Sequence, residues 1–492
     1  MTTSTDVVES TEAPVAAALR SITLRWVATA LVLFPVLVLL GLVMRVAQSD
    51  LVPDLDATRF YSVMTLHGVG MVGLWYTAGM ASVCFLLSRY VRVSVLANKV
   101  GFASTLIGVA LLLVSTLIGK FGAGWYFLYP LPIRPLGAWE SWATVTFFAA
   151  IAVLGVGWTI WSLDVLRAIA SRYSLTEALG WGYLRGNVQQ EVPPMVLITT
   201  VSIIGALVGL VTAVVLLVLY AVEALGGDAA NDALLMKNLV FLFGHLLVNI
   251  TLYLGVAVVY EVLPHYAKRP WKTNGKVALA WNVVLVLVMF AYLHHLYMDF
   301  AQLRELQLLG QVTSYLSSVP AAIMSIFGTL ALVYRSHLKW SLAPALLFSG
   351  VLGWVIGGIG AVIDSTIAVN LLFHNTLWVP AHFHTYFLMG VVLMLLGGVY
   401  HICDKASTCE RKAGREKLVF WLTAIGGYGF LLMFYIGGAA SIPRRYATYT
   451  GNISDGQGLA LASVFFIVLF LAGLVIYAIE TGRRCLGAAK AS

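Results

Sequence analysis

Residues 377–400 read LWVPAHFHTYFLMGVVLMLLGGVY, an apolar run without a lysine, arginine, aspartate or glutamate that nevertheless carries two histidines, His382 and His384. About 20 apolar residues suffice to cross a bilayer as a helix, so this run predicts a membrane span. Ionisable groups at that depth are costly and mark function or ligation.

Working outward, further apolar stretches fall near 26–46, 61–87, 100–119, 142–163, 195–222, 238–262, 277–298, 311–334, 341–363, 418–439 and 457–478. With 377–400 they predict a twelve-helix, all-α integral membrane bundle. The composition agrees, since 60% of the 492 residues are hydrophobic and 11% charged, with a mean hydropathy of +0.90. A soluble domain carries about 25% charge. The expected organisation is an N-terminal tail over 1–25, one twelve-helix catalytic domain over 26–478 and a C-terminal tail over 479–492.

Lysine and arginine are retained on the cytoplasmic side of a membrane. With the N-terminus inside, 22 of the 30 basic residues fall inside and 8 outside, while the acidic residues divide evenly. Both termini are therefore expected in the cytoplasm. The net charge of +8 then reports topology and contact with anionic lipid, and needs no nucleic acid. Residues 1–20 lack the basic start of a cleaved signal peptide, so the first helix is expected to serve as the insertion signal. The outer connection 120–141, which begins KFGAGWYFLYP, is expected to be no more than a long aromatic-rich loop.

Cys84, Cys403, Cys409 and Cys485 form no CxxC pair or zinc-like cluster, and the last three are expected on the cytoplasmic side. That predicts no disulfide and no cysteine-bound metal.

Six histidines lie within spans at comparable depth: His67 in MTLHGVGM, His245 in FGHLLVN, His294 and His295 in YLHHLYMD, and His382 with His384. Residues two apart on a helix point about 200° from one another, so His382 and His384 face opposite flanks and suit two neighbouring redox centres. His67 matches the tenth span in depth, which makes a porphyrin iron between the second and tenth spans reasonable. His245, His294 and His295 supply three imidazoles from two helices, a set open to copper, iron or zinc, with softness and geometry favouring copper as one reading. A single intramembrane histidine fits helix packing as well as ligation; six at matched depth point to metal. His265, His337 and His401 fall at cytoplasmic ends, where solvated or headgroup roles are expected.

These motifs resemble those of the catalytic subunit of the heme-copper oxidase superfamily, which includes oxygen reductases and nitric oxide reductases. HNTLWVPAHFH, His374 to His384, and PRRYATY, Pro443 to Tyr449, read like its signatures. The resemblance implies that His67 and His384 bind a low-spin heme, that His382 binds a high-spin heme, and that His245, His294 and His295 hold the facing copper. It also implies that His374, Arg444 and Arg445 hold heme propionates, a task to which the guanidinium fork is suited.

The departures bear on the reaction. Many oxygen reductases place a tyrosine four residues after the sixth-span histidine; nitric oxide reductases place a glutamate in a GHLLV-like segment. Here that position is Asn249, and Tyr253 lies one turn further. Another oxygen-reductase branch draws its tyrosine from six residues before the paired histidines, which is Val288 here, while Tyr292 should point away. No substitute phenol is evident. An amide can neither shuttle a proton as a carboxylate does nor give up an electron as a phenol does, but it can donate a hydrogen bond to a bound oxygen or nitrogen. The expectation is a divergent nitric oxide reductase branch with Asn249 at its site, with reduction of O2 to water as the alternative.

A lysine that many oxidases carry four residues after the eighth-span proline is Met324 here, following Pro320, and Thr313, Ser314, Tyr315, Ser317, Ser318 and Ser325 form a polar stripe better read as hydroxyl-to-backbone bonding. With no cysteine pair for a dinuclear copper and no CxxCH for covalent heme, electrons are expected from a partner on the periplasmic side, a cupredoxin-like copper subunit or a cytochrome c, in a bacterial-type inner membrane. A transporter without heme would need no such histidines, and a zinc hydrolase would need an acidic base beside them. The nearest carboxylate in sequence is Asp299, at the outer end of the seventh span.

Overall fold

A computed structural model describes residues 17–52, 55–226, 230–405 and 407–490. Residues 1–16 and 491–492 of the two expected tails lie outside the described residues. Among the described residues, twelve helices are long and apolar enough to cross a membrane: α1 Ala17–Gln48, α2 Ala57–Leu87, α3 Val95–Ile118, α4 Ser141–Ala170, α5 Pro194–Gly226, α6 Ala233–Ala267, α7 Gly275–Leu296, α8 Arg304–Val333, α9 Leu342–Asp364, α10 Trp378–Lys405, α11 Ala413–Ala439 and α12 Gly451–Leu486. Among the described residues the only β pairing is an isolated bridge between Thr376 and Pro443. The chain is an all-α twelve-helix bundle, and an even number of crossings puts the start of α1 and the end of α12 on one side.

Helices adjacent in sequence pack as antiparallel neighbours, and α12 closes on α1. Three helices are enclosed by the rest: the apolar windows of α2, α6 and α10 are 67%, 72% and 94% buried, against 28–56% for the other nine. These three contact one another. The most apolar spans, α1, α5 and α12, lie further out, whereas α2, α6 and α10 carry intramembrane histidines, and such polar groups face the bundle interior rather than lipid. Between helices lipid offers no hydrophobic contrast, so close approach depends on small residues. At Gly353 of α9 a Cβ would fall 2.0 Å from the Met389 carbonyl oxygen of α10, so only glycine permits this contact.

Two local distortions shape the interior. The turn Phe387–Val392 of α10 is π-helical, a form that recurs at functional sites. The end of α7, Tyr292–Leu296, tightens into a 3-10 turn that carries both paired histidines.

Three expectations from sequence are corrected. The Cys403 and Cys485 side chains form a disulfide, with Cα atoms 5.0 Å apart across 82 residues of sequence; packing of α10 against α12 creates this proximity, which cysteine spacing does not encode. Cys84 and Cys409 are free. His401 is not solvated: it is 2% exposed, and its Nδ1 pairs with the Tyr266 hydroxyl at 3.0 Å. The connection 120–141 is more than a loop, because Gly124 N–H donates to Thr65 Oγ1 at 2.8 Å and this draws Trp125 and Tyr126 over the interior. Its other end is tied to α5, where Glu223 accepts from Tyr129 at 3.0 Å and from Arg134 at 2.8 Å.

The polar stripe of α8 is largely bonded to backbone. Thr313 Oγ1 donates to Leu309 O at 2.7 Å and Ser317 Oγ to Ser314 O at 3.3 Å. Ser325 pairs instead with the Tyr260 hydroxyl at 3.2 Å, and the Ser318 side chain lies outside the described residues.

Candidate functional site

The six intramembrane histidines line one cavity of about 560 Å³, bounded chiefly by α2, α6 and α10. On α10, His382 and His384 point to its two flanks. The His382 Nδ1–H donates to Gly357 O of α9 at 3.0 Å. The His384 Nδ1–H donates to Pro380 O at 2.7 Å, and its ring lies edge-on to Phe430 and Phe434 of α11. Across the cavity, the His67 Nδ1–H donates to Leu37 O of α1 at 2.8 Å. Gly41 leaves room for that ring: a Cβ there would sit 3.0 Å from His67 Cε1.

A carbonyl can only accept, so each of these rings carries its proton on Nδ1 and leaves the Nε2 lone pair free. Ligating histidines are oriented in this way. His67 and His384 therefore present bare nitrogens on one flank of α10, and His382 presents one on the other.

On the His382 side, His245, His294 and His295 each offer a ring nitrogen, and these nitrogens lie within 4.8 Å of one another, a cluster that could hold a metal ion. His294 Nδ1 is 3.0 Å from Ser314 Oγ. That hydroxyl gives its single proton to Gly310 O at 2.5 Å or Ala291 O at 3.1 Å, so it accepts from His294 and frees Nε2. His295 stacks on Phe241 with centroids 4.8 Å apart. Asp299, the nearest acid in sequence, is held by Lys237 Nζ at 2.6 Å. The cluster contains no carboxylate among the described residues, so the base a zinc hydrolase needs is missing from it.

The outer rim of the cavity is basic. His374, Arg444 and Arg445 all line it. Arg444 is held by Asn375, its Nη2 donating to Oδ1 at 3.1 Å, and the Arg445 guanidinium lies 3.8 Å over the Tyr126 ring. Neither arginine joins an ion pair among the described residues. Burial and then the neighbouring Arg445 push Arg444 down to about 9, and burial first, then Arg444, pushes His374 down to about 4. Two adjacent cations with only the Asp364 carboxylate nearby among the described residues make a site suited to further anionic groups such as propionates. Bare imidazole nitrogens on both flanks and a basic rim over an otherwise apolar cavity fit hemes and a copper ion.

Five lining residues are additions to the sequence reading. Arg45 of α1 is 4% exposed, bonds Gln48 at 2.6 Å and lies over Phe434 on the His384 flank. Asp364, at the outer end of α9, keeps both carboxylate oxygens buried in the neighbourhood of Arg444 and Trp378. Trp125 and Tyr126 close the top. A phenol at none of the positions weighed from sequence also lines the cavity: the Tyr386 hydroxyl of α10 donates to Asn249 Oδ1 at 2.7 Å. The Tyr292 hydroxyl is turned instead to Asn238 Oδ1 at 3.0 Å.

The family described as cytochrome c and quinol oxidase polypeptide I matches residues 21–478. Cytochrome c oxidase subunit 1 of Corynebacterium diphtheriae is 27% identical over 442 residues, covering 86% of this chain and 74% of that protein. Cytochrome c oxidase subunit 1 of Cereibacter sphaeroides is 26% identical over 268 residues, 52% of this chain and 46% of its own length. The heme-copper oxidase subunit I+III of Aeropyrum pernix is 26% identical over 421 residues, 80% of this chain and 48% of its own. The chain thus spans about half the length of these last two relatives. A cryo-EM structure of a heme-copper terminal oxidase dimer superposes with a TM-score of 0.80 at 20% identity, covering 96% of this chain and 85% of that one; at that identity the likeness speaks for the fold. The match runs from the first helix into the last, and the chain belongs to the cytochrome c and quinol oxidase polypeptide I family, the subunit I of heme-copper oxidases.

Proposed function

We propose that this oxidoreductase subunit reduces nitric oxide to nitrous oxide and water at the outer half of a bacterial-type inner membrane. His67 and His384 bind a low-spin heme through Nε2, His382 binds a high-spin heme, and His245, His294 and His295 bind copper. When bound, these groups would supply the electrons and the metal centre for reduction of the diatomic substrate.

The chain's own residues set the geometry. Carbonyls at Leu37, Gly357 and Pro380 and the Ser314 hydroxyl fix the imidazoles. Arg444, Arg445 and His374 bind the propionates. Asn249 donates an amide hydrogen bond where negative charge grows on the substrate. Electrons arrive from a periplasmic partner, a copper-bearing second subunit or a cytochrome c.

The observation that carries the choice of substrate is Asn249 itself, whose Nδ2 lies 3.3 Å from Nε2 of His245. Neither a carboxylate nor a phenol is attached at that place. Coupling two NO molecules takes two electrons and two protons, within the reach of two hemes and a copper; O2 needs four electrons and draws on a side-chain donor in many oxidases. One observation favours O2 reduction as the second reading, namely Tyr386, a phenol one hydrogen bond beyond Asn249.

Asn249→Tyr and Asn249→Glu test the assignment. Each is expected to abolish or alter NO turnover in the heme-loaded enzyme, and unchanged turnover in both removes Asn249 from the site.

A further inference from the structure

We propose that Tyr386 is the positioning residue of this site, its phenol holding the Asn249 amide so that the NH₂ end faces His245 and the cavity between the two histidine flanks. This rests on the reading of Asn249 as a site residue.

The amide is pinned at both ends. Its Nδ2 donates one hydrogen to the His245 carbonyl at 2.8 Å, and its Oδ1 accepts the Tyr386 O–H at 2.7 Å. The second Nδ2 hydrogen remains, beside the His245 ring, whose Nε2 and Nδ1 lie 3.3 and 3.5 Å away. Turning the amide over would set Oδ1 against the His245 carbonyl, two acceptors in contact. The phenol and that carbonyl together therefore select one orientation. In that orientation the second N–H lies against the His245 ring, at the wall of the cavity where a substrate held near His245 would need a donor.

Tyr386 is itself held. It is 8% exposed and lies one helical turn beyond His382, on the same face of α10. At Gly357 a Cβ would fall 2.6 Å from Tyr386 Cα, so α9 lies directly against this residue, and Gly357 also supplies the carbonyl that orients His382. The π-helical turn begins immediately after it, at Phe387. One stretch of α9 thus fixes both the histidine of the second flank and the phenol that sets the amide.

The test is a double-mutant cycle with Tyr386→Phe and Asn249→Ala, alone and combined, in the heme- and copper-loaded complex. Three quantities are read: kcat, KM, and the C–O stretch of carbon monoxide bound to the reduced enzyme. Tyr386→Phe is expected to lower kcat about tenfold, equivalent to ~1.4 kcal/mol, a hydrogen bond's worth, with KM within about twofold. It is expected to shift the C–O stretch in the same direction as Asn249→Ala does. In the Asn249→Ala background it is expected to change nothing further, because the group it positions is gone.

Losses that multiply in the double variant would overturn the proposal by showing that the phenol acts on its own. Wild-type kcat with an unshifted stretch in Tyr386→Phe would overturn it as well. So would loss of heme in that variant, since a phenyl ring fills the same volume and the assigned role leaves both heme flanks untouched. The cycle is run on whichever of NO or O2 the wild-type complex turns over faster. An enzyme that prefers O2 refutes the proposed substrate, while the coupling still decides the role of Tyr386.

Discussion

Ser314→Ala tests how the copper histidines are held. In the structure the Ser314 hydroxyl is an acceptor for His294 because its own proton is committed to a backbone carbonyl. Removing one oxygen atom strands the Nδ1–H of a largely enclosed imidazole, at a cost of about 1–3 kcal/mol. Loss of such a supporting partner lowers metal affinity by about 10–100-fold, which is about 1.4–2.8 kcal/mol, so two independent routes to the magnitude agree. Alanine suits a helix interior at least as well as serine, and helix stability should not suffer. Copper content is measured after equilibration against a series of copper chelators, with heme content and the low-spin heme spectrum recorded on the same samples. Copper affinity should fall at least tenfold with the low-spin spectrum unchanged, because His67 and His384 depend on other carbonyls. Affinity within twofold of wild type, or equal loss of copper and low-spin heme, would refute the reasoning.

Two further outcomes are expected. Arg444→Ala with Arg445→Ala removes both cations of the rim, and heme retention should fall at least about 100-fold, from loss of two charge-assisted bonds worth about 1.5–3 kcal/mol each, as read by heme transfer to an apo-globin acceptor. His374 titrates near 4 in the fold, chiefly through burial and then Arg444, against about 6.5 in an unfolded chain. The unfolded chain binds the extra proton, so this contribution to stability is complete above about pH 6.5 and is lost as pH falls toward 4. Heme-depleted wild type should therefore lose more melting temperature between pH 7 and pH 5 than His374→Gln does, and equal losses would contradict the assignment of burial as the cause.

Much of the fold was legible because a bilayer imposes one rule on every span: a helix of about 20 apolar residues. Histidine depth was legible for the same reason, and the spacing of His382 and His384 alone placed them on opposite flanks. What escaped depended on contacts between distant segments. The Cys403–Cys485 pair is made by helix packing across 82 residues, and Trp125 reaches the cavity because Thr65 anchors its loop. Tyr386 was within reach of a helical wheel, lying four residues after His382, but its partnership with Asn249 crosses from α10 to α6 over 137 residues of sequence. Arg45 carried a signal too, as one of the few basic residues on the outer side.

The most direct test of the central claim is turnover by the purified complex with a reduced donor, following NO loss together with N2O formation and, separately, O2 consumption under matched conditions. Rapid NO turnover with slow O2 reduction is the predicted result; rapid reduction of O2 to water would contradict it and identify an oxygen reductase that works without a tyrosine at position 249.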